Sequence, residues 1–314
     1  MNCSSEVHES VKYFQLVVYI PTFIVGLILN ALALQSFCWK LRKWTETTIY
    51  MTSLALSDIM VLVTLPFKIY SYHYKWTNKT LCILVTSLYR INICTSIFII
   101  TCISIDRYIA IKYPFRSKVL RSPMKAAVLS AVLWIFTSLW SILFAYKYYF
   151  AYNEPNATKS DMVCFQAHFH RNSIFSIVPT VIVFVAIPLI IVTFCSVQII
   201  QTLQQRGMSN AGGFSTRRTI WIIAANAVVF VVCFMPFNIA SIVHVVMIYM
   251  NAKCTLLNQL RSFSQVAMCI ANINCCLDGF CFYFVTVEAL ELSQNRVKQP
   301  KDPDNNQSIT LSSL

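Results

Sequence analysis

Of the chain's 314 residues, 57% are apolar and 12% are charged, whereas a soluble globular domain carries about a quarter charged residues. That excludes an ordinary water-soluble fold and makes lipid the expected solvent. The formal net charge is +13, from 25 Lys and Arg against 12 Asp and Glu, so the placement of the positive charges has to fit the topology.

Crossing the hydrocarbon core takes about 20 apolar residues, and seven runs qualify, at roughly 13–38, 49–72, 82–108, 124–148, 173–200, 217–249 and 257–284. The expected fold is an all-α membrane protein, a seven-transmembrane helix bundle with a short amphipathic helix after span seven. Residues 1–12 form an N-terminal segment, 13–292 the bundle and 293–314 a polar tail. No cleavable leader pattern precedes span one, which is expected to act as its own insertion signal. Span one carries Asn30 in Gly26-Leu27-Ile28-Leu29-Asn30, and span two carries Leu54-Ala55-Leu56-Ser57-Asp58 and then Leu65-Pro66-Phe67-Lys68. Span three opens at Cys82, passes Tyr89, Arg90, Asn92 and Ser96, and ends in Asp106-Arg107-Tyr108. Trp134 marks span four, Pro188 span five, and Phe234-Met235-Pro236 with His244 span six. Span seven is interrupted by Arg261, Gln265, Asn272, Asn274 and Asp278. It still counts as a span, because polar groups facing the bundle are expected in a polytopic protein.

An external N-terminus puts 15 of the 25 basic residues inside, from Lys40, Arg42 and Lys43 after span one to Arg296, Lys298 and Lys301 in the tail. They lie hard against the span ends, as the positive-inside bias requires. The glycosylation sequons beginning at Asn2, Asn78 and Asn156 then fall outside, while Asn306-Gln307-Ser308 falls in the tail and should stay unmodified. Of thirteen cysteines, Cys3, Cys82, Cys164 and Cys254 are external, which allows three pairings. Cys82 with Cys164 would tie the long loop after span four over the bundle mouth. Cys3 with Cys254 would then clamp the N-terminus to the last external loop. The other nine read as small apolar packing residues.

Charges within a span are costly and mark functional sites. Arg107 beside Asp106 reads as a conformational lock at the inner edge. Asp58 and Asp278, with Asn30, Asn92, Ser96 and Asn274, read either as structural hydrogen-bonders or as an oxygen-rich pocket for a sodium ion, since hard cations take oxygen ligands. In the outer half ten basic residues face four acidic ones, and such a mouth focuses anions. Lys68, Tyr89 and Arg90 in the upper bundle, Arg171 in the long loop, and His244 and Arg261 from spans six and seven are the expected ligand-binding residues. No Asp or Glu lies between 82 and 105, so the acid that a cationic amine would need is missing.

In their order, Asn30, the run to Asp58, Asp106-Arg107-Tyr108, Trp134, Pro188 and Phe234-Met235-Pro236 resemble the span-by-span markers of rhodopsin-like G-protein-coupled receptors. Ile49-Tyr50-Met51-Thr52, Leu65-Pro66-Phe67-Lys68, Leu120-Arg121-Ser122-Pro123 and Asn274-Cys275-Cys276-Leu277-Asp278 resemble more narrowly the lysophosphatidylinositol- and kynurenate-linked receptors, near the purine and lysophospholipid receptors. The resemblance implies a plasma-membrane receptor for an anionic ligand, a lysophosphatidylinositol-like lipid ahead of a small aromatic acid or nucleotide. It implies a heterotrimeric G protein (G12/13 favoured) and arrestin as partners, with Asp106, Arg107 and Tyr108 as coupling residues. It favours the sodium reading of Asp58, Asn92, Ser96, Asn274 and Asp278; no other cofactor and no nucleic acid is expected.

Two departures from the family pattern stand out. Asp278-Gly279-Phe280-Cys281-Phe282 replaces Asn-Pro-x-x-Tyr, so Phe282 lacks the phenol, and Tyr283 sits about 100° around the helix from it. Phe234 stands where many relatives carry Trp. Span seven holds no Lys for a retinal Schiff base. Paired catalytic carboxylates, a zinc-type His cluster and a phosphate-cradling Gly loop are missing from the sequence, so an enzyme is not expected. A membrane transporter is the alternative class, but the halves of the chain show no repeat.

Overall fold

The computed structural model describes residues 9–40, 44–74, 79–153, 174–207 and 213–298. Among the described residues, seven helices are long and apolar enough to cross a membrane and there is no strand. Helix α1 (Glu9–Gln35) continues into a π-helical turn, Ser36–Lys40. Then come α2 (Glu46–His73), α3 (Lys79–Lys112), the short α4 (Pro114–Leu120) and α5 (Pro123–Asn153). Span five is built from α6 (Ile174–Val181), a π turn (Ile182–Ala186) and α7 (Ile187–Gly207). Helices α8 (Gly213–Tyr249) and α9 (Cys254–Lys298) complete the bundle. The spans alternate in direction, so one end carries the starts of α1, α3 and α9, and the opposite end carries α4.

Local chemistry explains several boundaries. Thr45 caps α2 by accepting the Thr48 N–H at 3.2 Å, and Glu46 adds a negative charge to that helix's first turn, where the dipole favours it. Pro114 opens α4, a position whose N–H would be unpaired in any residue. In span five, Pro188 has no N–H to offer the Phe184 carbonyl. The ladder just before it loosens into the π turn, in which the Ile187 N–H reaches back to Ile182 O.

Packing joins α8 to α9, α1 to α9 and α2, and α3 to α2, α5 and α7. One buried cluster, toward the α4 end, includes Phe37, Leu54, Ile97, Phe230, Phe234 and Phe282; another, toward the N-terminal end, includes Tyr19, Leu62, Leu65, Tyr89 and Cys269. Two glycines set the closest approaches. A Cβ on Gly26 would meet Leu62 Cδ2 at 2.9 Å, and one on Gly279 would meet Leu29 Cβ at 2.7 Å. Small residues at such crossings let helix backbones approach in lipid.

Span seven holds as a span: Gln265, Asn272, Asn274 and Asp278 are all buried within the bundle. The expected short amphipathic helix after it is not a separate element. Helix α9 runs unbroken to Lys298, because no proline interrupts the sequence between Cys254 and Pro300 and Gly279 is held against Leu29.

Candidate functional site

Toward the N-terminal end, Lys68 of α2 and Arg90 of α3 are set against aromatic rings. Lys68 is fully buried. Its ammonium lies 4.9 Å from the Tyr19 ring centroid and 4.6 Å from that of Tyr89, and it faces the Met268 sulfur. Two electron-rich faces replace part of the water that a buried ammonium loses. Tyr89 donates its hydroxyl to Asn272 Oδ1 at 3.0 Å, so this phenol ties α3 to α9. The Arg90 guanidinium sits 4.7 Å over the Phe144 ring of α5. His244 is buried in α8, and Arg261 is half-buried in α9. One turn along α9 from Arg261, toward the bundle's middle, Gln265 Oε1 accepts from the Gln15 amide at 3.0 Å, joining α1 to α9. Cys82 and Cys254 are both disulfide-bonded, whereas the nine other described cysteines are free. Arg171, Cys3, Cys164, Asn2, Asn78 and Asn156 lie outside the described residues.

Deeper in the bundle is a cluster of buried polar side chains from α1, α2, α3 and α9. Asp58 is fully buried, and neither carboxylate oxygen receives a hydrogen bond of ordinary length. The Asn30 and Asn274 side-chain oxygens are also buried and unpartnered. Asn274 Nδ2 donates to Asp278 Oδ2 at 2.6 Å, and Asn30 Nδ2 to Cys275 O at 3.0 Å. Asn92 Nδ2 donates to Ser57 O at 2.6 Å, and Ser57 meets Ser96 hydroxyl to hydroxyl at 3.3 Å. Buried oxygens without donors are costly in a dry interior. A donor set of carboxylate, amide and hydroxyl oxygens fits a hard monovalent cation such as sodium.

At the α4 end, Asp106 is held by two side chains through three hydrogen bonds. Arg121 Nε donates to its Oδ1 at 2.7 Å and the Arg121 NH2 group to its Oδ2 at 2.9 Å. Thr47 Oγ1 adds a third bond at 3.2 Å. Glu46 Oε2 stands 3.2 Å from the same Arg121 NH2 group. Burial alone would weaken the guanidinium's hold on its proton, but the bond to Asp106 and the charges of Asp106 and Glu46 outweigh it and raise its pKa. Arg107 is half-buried one position on. Tyr108 packs edge-on against Phe194 of α7 at 5.8 Å, and Lys112 hydrogen-bonds to Gln198 of α7.

The fold therefore gathers Lys68, Tyr89, Arg90, His244 and Arg261 in one half of the bundle, and Asp58, Asn92, Ser96, Asn274 and Asp278 at its middle. Arg121 and Glu46 escaped sequence reasoning. They lie 15 residues after and 60 residues before Asp106, and neither spacing matches a helical period. The signal present was Glu46, an acid that, like Asp106, stands among the basic residues of that edge.

Residues 29–282 match the family described as 7 transmembrane receptor (rhodopsin family). Mouse (Mus musculus) G-protein coupled receptor 35 is 32% identical over 286 residues, covering 91% of this chain and 89% of the relative. Human (Homo sapiens) lysophosphatidic acid receptor 4 is 34% identical over 296 residues, covering 91% and 78%. Mouse G-protein coupled receptor 55 is 34% identical over 308 residues, covering 91% and 90%.

Proposed function

This chain belongs to the rhodopsin family of seven-transmembrane receptors, and from that premise we propose that it recognises an anionic lysophospholipid. As a member of that family it is a multi-pass plasma-membrane receptor that works through a heterotrimeric G protein, and it is not an enzyme. In our reading the N-terminus is extracellular, so the basic half of the bundle opens outward and α4 faces the cytosol. The coupling partner is a G12/13-type heterotrimer, with arrestin as a second partner at the same face.

The observation that carries the ligand reading is the charge of the outer half. Among the described residues, four helices contribute Lys68, Arg90, His244 and Arg261 to that half of the bundle. The one described carboxylate beyond Asp58 and Asp278 on that side is Glu9, itself 3.6 Å from Lys12. Cations in a low-dielectric bundle are stabilised by a phosphate or carboxylate through charge-assisted hydrogen bonds, bidentate for arginine. Arg90 and Arg261, both part-exposed, would make the first contact. Lys68 lies behind its aromatic cover and would be reached only if Met268 or a tyrosine moved. Relatives named as lysophosphatidic acid receptors are consistent with a phosphate-bearing lipid. A small aromatic acid is the second reading, favoured by the Tyr19, Tyr89 and Phe144 rings already stacked on the cations.

The pocket around Asp58 is proposed to hold sodium through Asp58, Asn92, Ser96, Asn274 and Asp278, the ion supplying the positive charge that the orphaned oxygens lack. Arg107 is proposed to engage the G protein once the α4 end opens. A dissociation panel with all four Gα classes tests the main reading. Anionic lysolipids, aromatic acids, nucleotides and amines would each be offered, and dissociation by anions alone, with G12/13 responding, is expected. A response restricted to amines would sink the reading.

A further inference from the structure

Gln265 lies between two cationic levels of the outer half. It follows Arg261 by four residues on α9, so the two share a face and are about 6 Å apart along the axis. Met268, whose sulfur Lys68 faces, comes just under one turn further in. On α1 the partner of Gln265 is Gln15, one turn before Tyr19, whose ring covers Lys68. Gln15 is completely buried. Its Nε2 donates to Gln265 Oε1 at 3.0 Å and to the Gln265 backbone carbonyl at 3.4 Å. A backbone carbonyl can only accept, so these bonds fix which end of the Gln15 amide is which. The other end, Gln15 Oε1, is buried and receives no hydrogen bond. On α9, Asn258 Oδ1, three residues before Arg261, is in the same state. Leaving a buried acceptor without a donor is costly. An ionised acid brings acceptors only, so the anion that would stabilise Arg261 and Lys68 does nothing for Gln15.

We infer, resting on the anionic-lysolipid reading above, that Gln15 is a specificity-determining residue of the ligand site: its Oε1 accepts a hydrogen bond from a free hydroxyl carried beside the ligand's phosphate. The receptor then selects hydroxyl-bearing anionic lysolipids over the same lipids without that hydroxyl. A glycerol hydroxyl sits one carbon away from the carbon that bears the phosphate ester. That short reach suits the single turn between the levels of Arg261 and Gln265. The hydroxyl arrives by the same displacement of Met268 or Tyr19 that opens the cover of Lys68. Gln15 Nε2 keeps its bonds to Gln265, so α1 stays joined to α9 while Oε1 takes the ligand. A site that holds a buried hydrogen-bonding group rejects an analogue that leaves the group unpaired.

The test is equilibrium binding of three tritiated lipids to full-length receptor in nanodiscs. Oleoyl-lysophosphatidic acid carries the hydroxyl and the phosphate. Its deoxy analogue, with propanediol in place of glycerol, lacks only the hydroxyl, and monooleoylglycerol has hydroxyls but no phosphate. Wild type should prefer the first over the second on the order of tenfold, the size of one hydrogen bond to an otherwise unpaired buried group. Gln15→Met keeps the side chain's length without the acceptor and should bring that ratio near one. Gln15→Asn draws the amide back by one methylene and should lose most of the preference, so the outcome does not hang on one variant folding. Gln265→Leu breaks the side-chain link between α1 and α9 but leaves Gln15 Oε1 in place. It should keep the preference, whereas a merely structural role for the pair would move both positions alike. Equal affinity of the two phosphate lipids in wild type, a preference retained in Gln15→Met and Gln15→Asn, or one lost equally in Gln265→Leu overturns the proposal. A wild type that binds neither phosphate lipid, or binds monooleoylglycerol as tightly as both, overturns the anionic-lysolipid reading instead, and the role of Gln15 falls with it.

Discussion

A guanidinium on an aromatic face keeps its charge while giving up part of its water, and that is the state of Arg90 over Phe144. It gains most from an anion that replaces the lost hydration. Arg90→Ala and Arg261→Ala are each expected to weaken an anionic agonist by about 2–5 kcal/mol, or roughly 30-fold to several-thousand-fold in affinity. Lys253, exposed at the start of α9, serves as the control, and its alanine variant should bind nearly as wild type. Equal losses in all three, read from agonist competition, would remove the pocket assignment. The middle of the bundle gives a second test. If sodium answers the orphaned oxygens of Asp58, Asn30 and Asn274, agonist affinity in the wild type should change when NaCl replaces choline chloride at constant ionic strength. Asp58→Asn removes a carboxylate charge and should flatten that response; a variant with the wild-type sodium dependence would sink the cation reading.

At the scale of elements, closeness between α1 and α9 depends on Gly279. A valine there would place its Cβ 2.7 Å from Leu29 Cβ, inside van der Waals contact, and add two methyl groups to the same crossing. Gly279→Val is expected to cost about 1–3 kcal/mol and to lower the thermal midpoint in nanodiscs; a midpoint at or above wild type would mean that the two helices do not need this approach. The same crossing explains the Phe282 departure. Instead of a phenol reaching a polar partner, Phe282 is buried and packs edge-on against Phe37 of the π turn after α1, with centroids 5.8 Å apart. The spans were legible in the sequence because lipid makes apolar length decisive, and the polar residues of span seven were legible as inward-facing for the same reason. The run-on of α9 to Lys298 was not, since the expected break rested on resemblance and not on any residue that stops a helix. Nor was the aromatic box around Lys68. Three helices supply it, and the sequence positions of Tyr19, Tyr89 and Met268 share no period.

For the molecule as a whole, the proposed function gives the two ends of the bundle different work, and a buried polar seam joins them. Tyr89 to Asn272, Asn92 to Ser57, and Asn274 to Asp278 mark successive rungs of it. The separation of ends predicts a separation of phenotypes. Arg107→Ala should leave agonist affinity within about threefold of wild type, as expected for a substitution far from the binding groups, yet abolish agonist-stimulated GTPγS uptake. Lost agonist binding in a well-expressed, folded variant would mean that the ends are assigned the wrong way round. The central claim is that the outer half reads negative charge, and one comparison tests it most directly. Purified receptor and heterotrimer in nanodiscs would be given lysophosphatidylinositol or a lysolipid of the same chain with an uncharged headgroup, and nucleotide exchange followed. Exchange driven by the charged lipid and lost with the uncharged one, in wild type but not in Arg90→Ala, is the predicted result. Equal stimulation by both lipids, or stimulation by neither while a cationic amine activates, would contradict it.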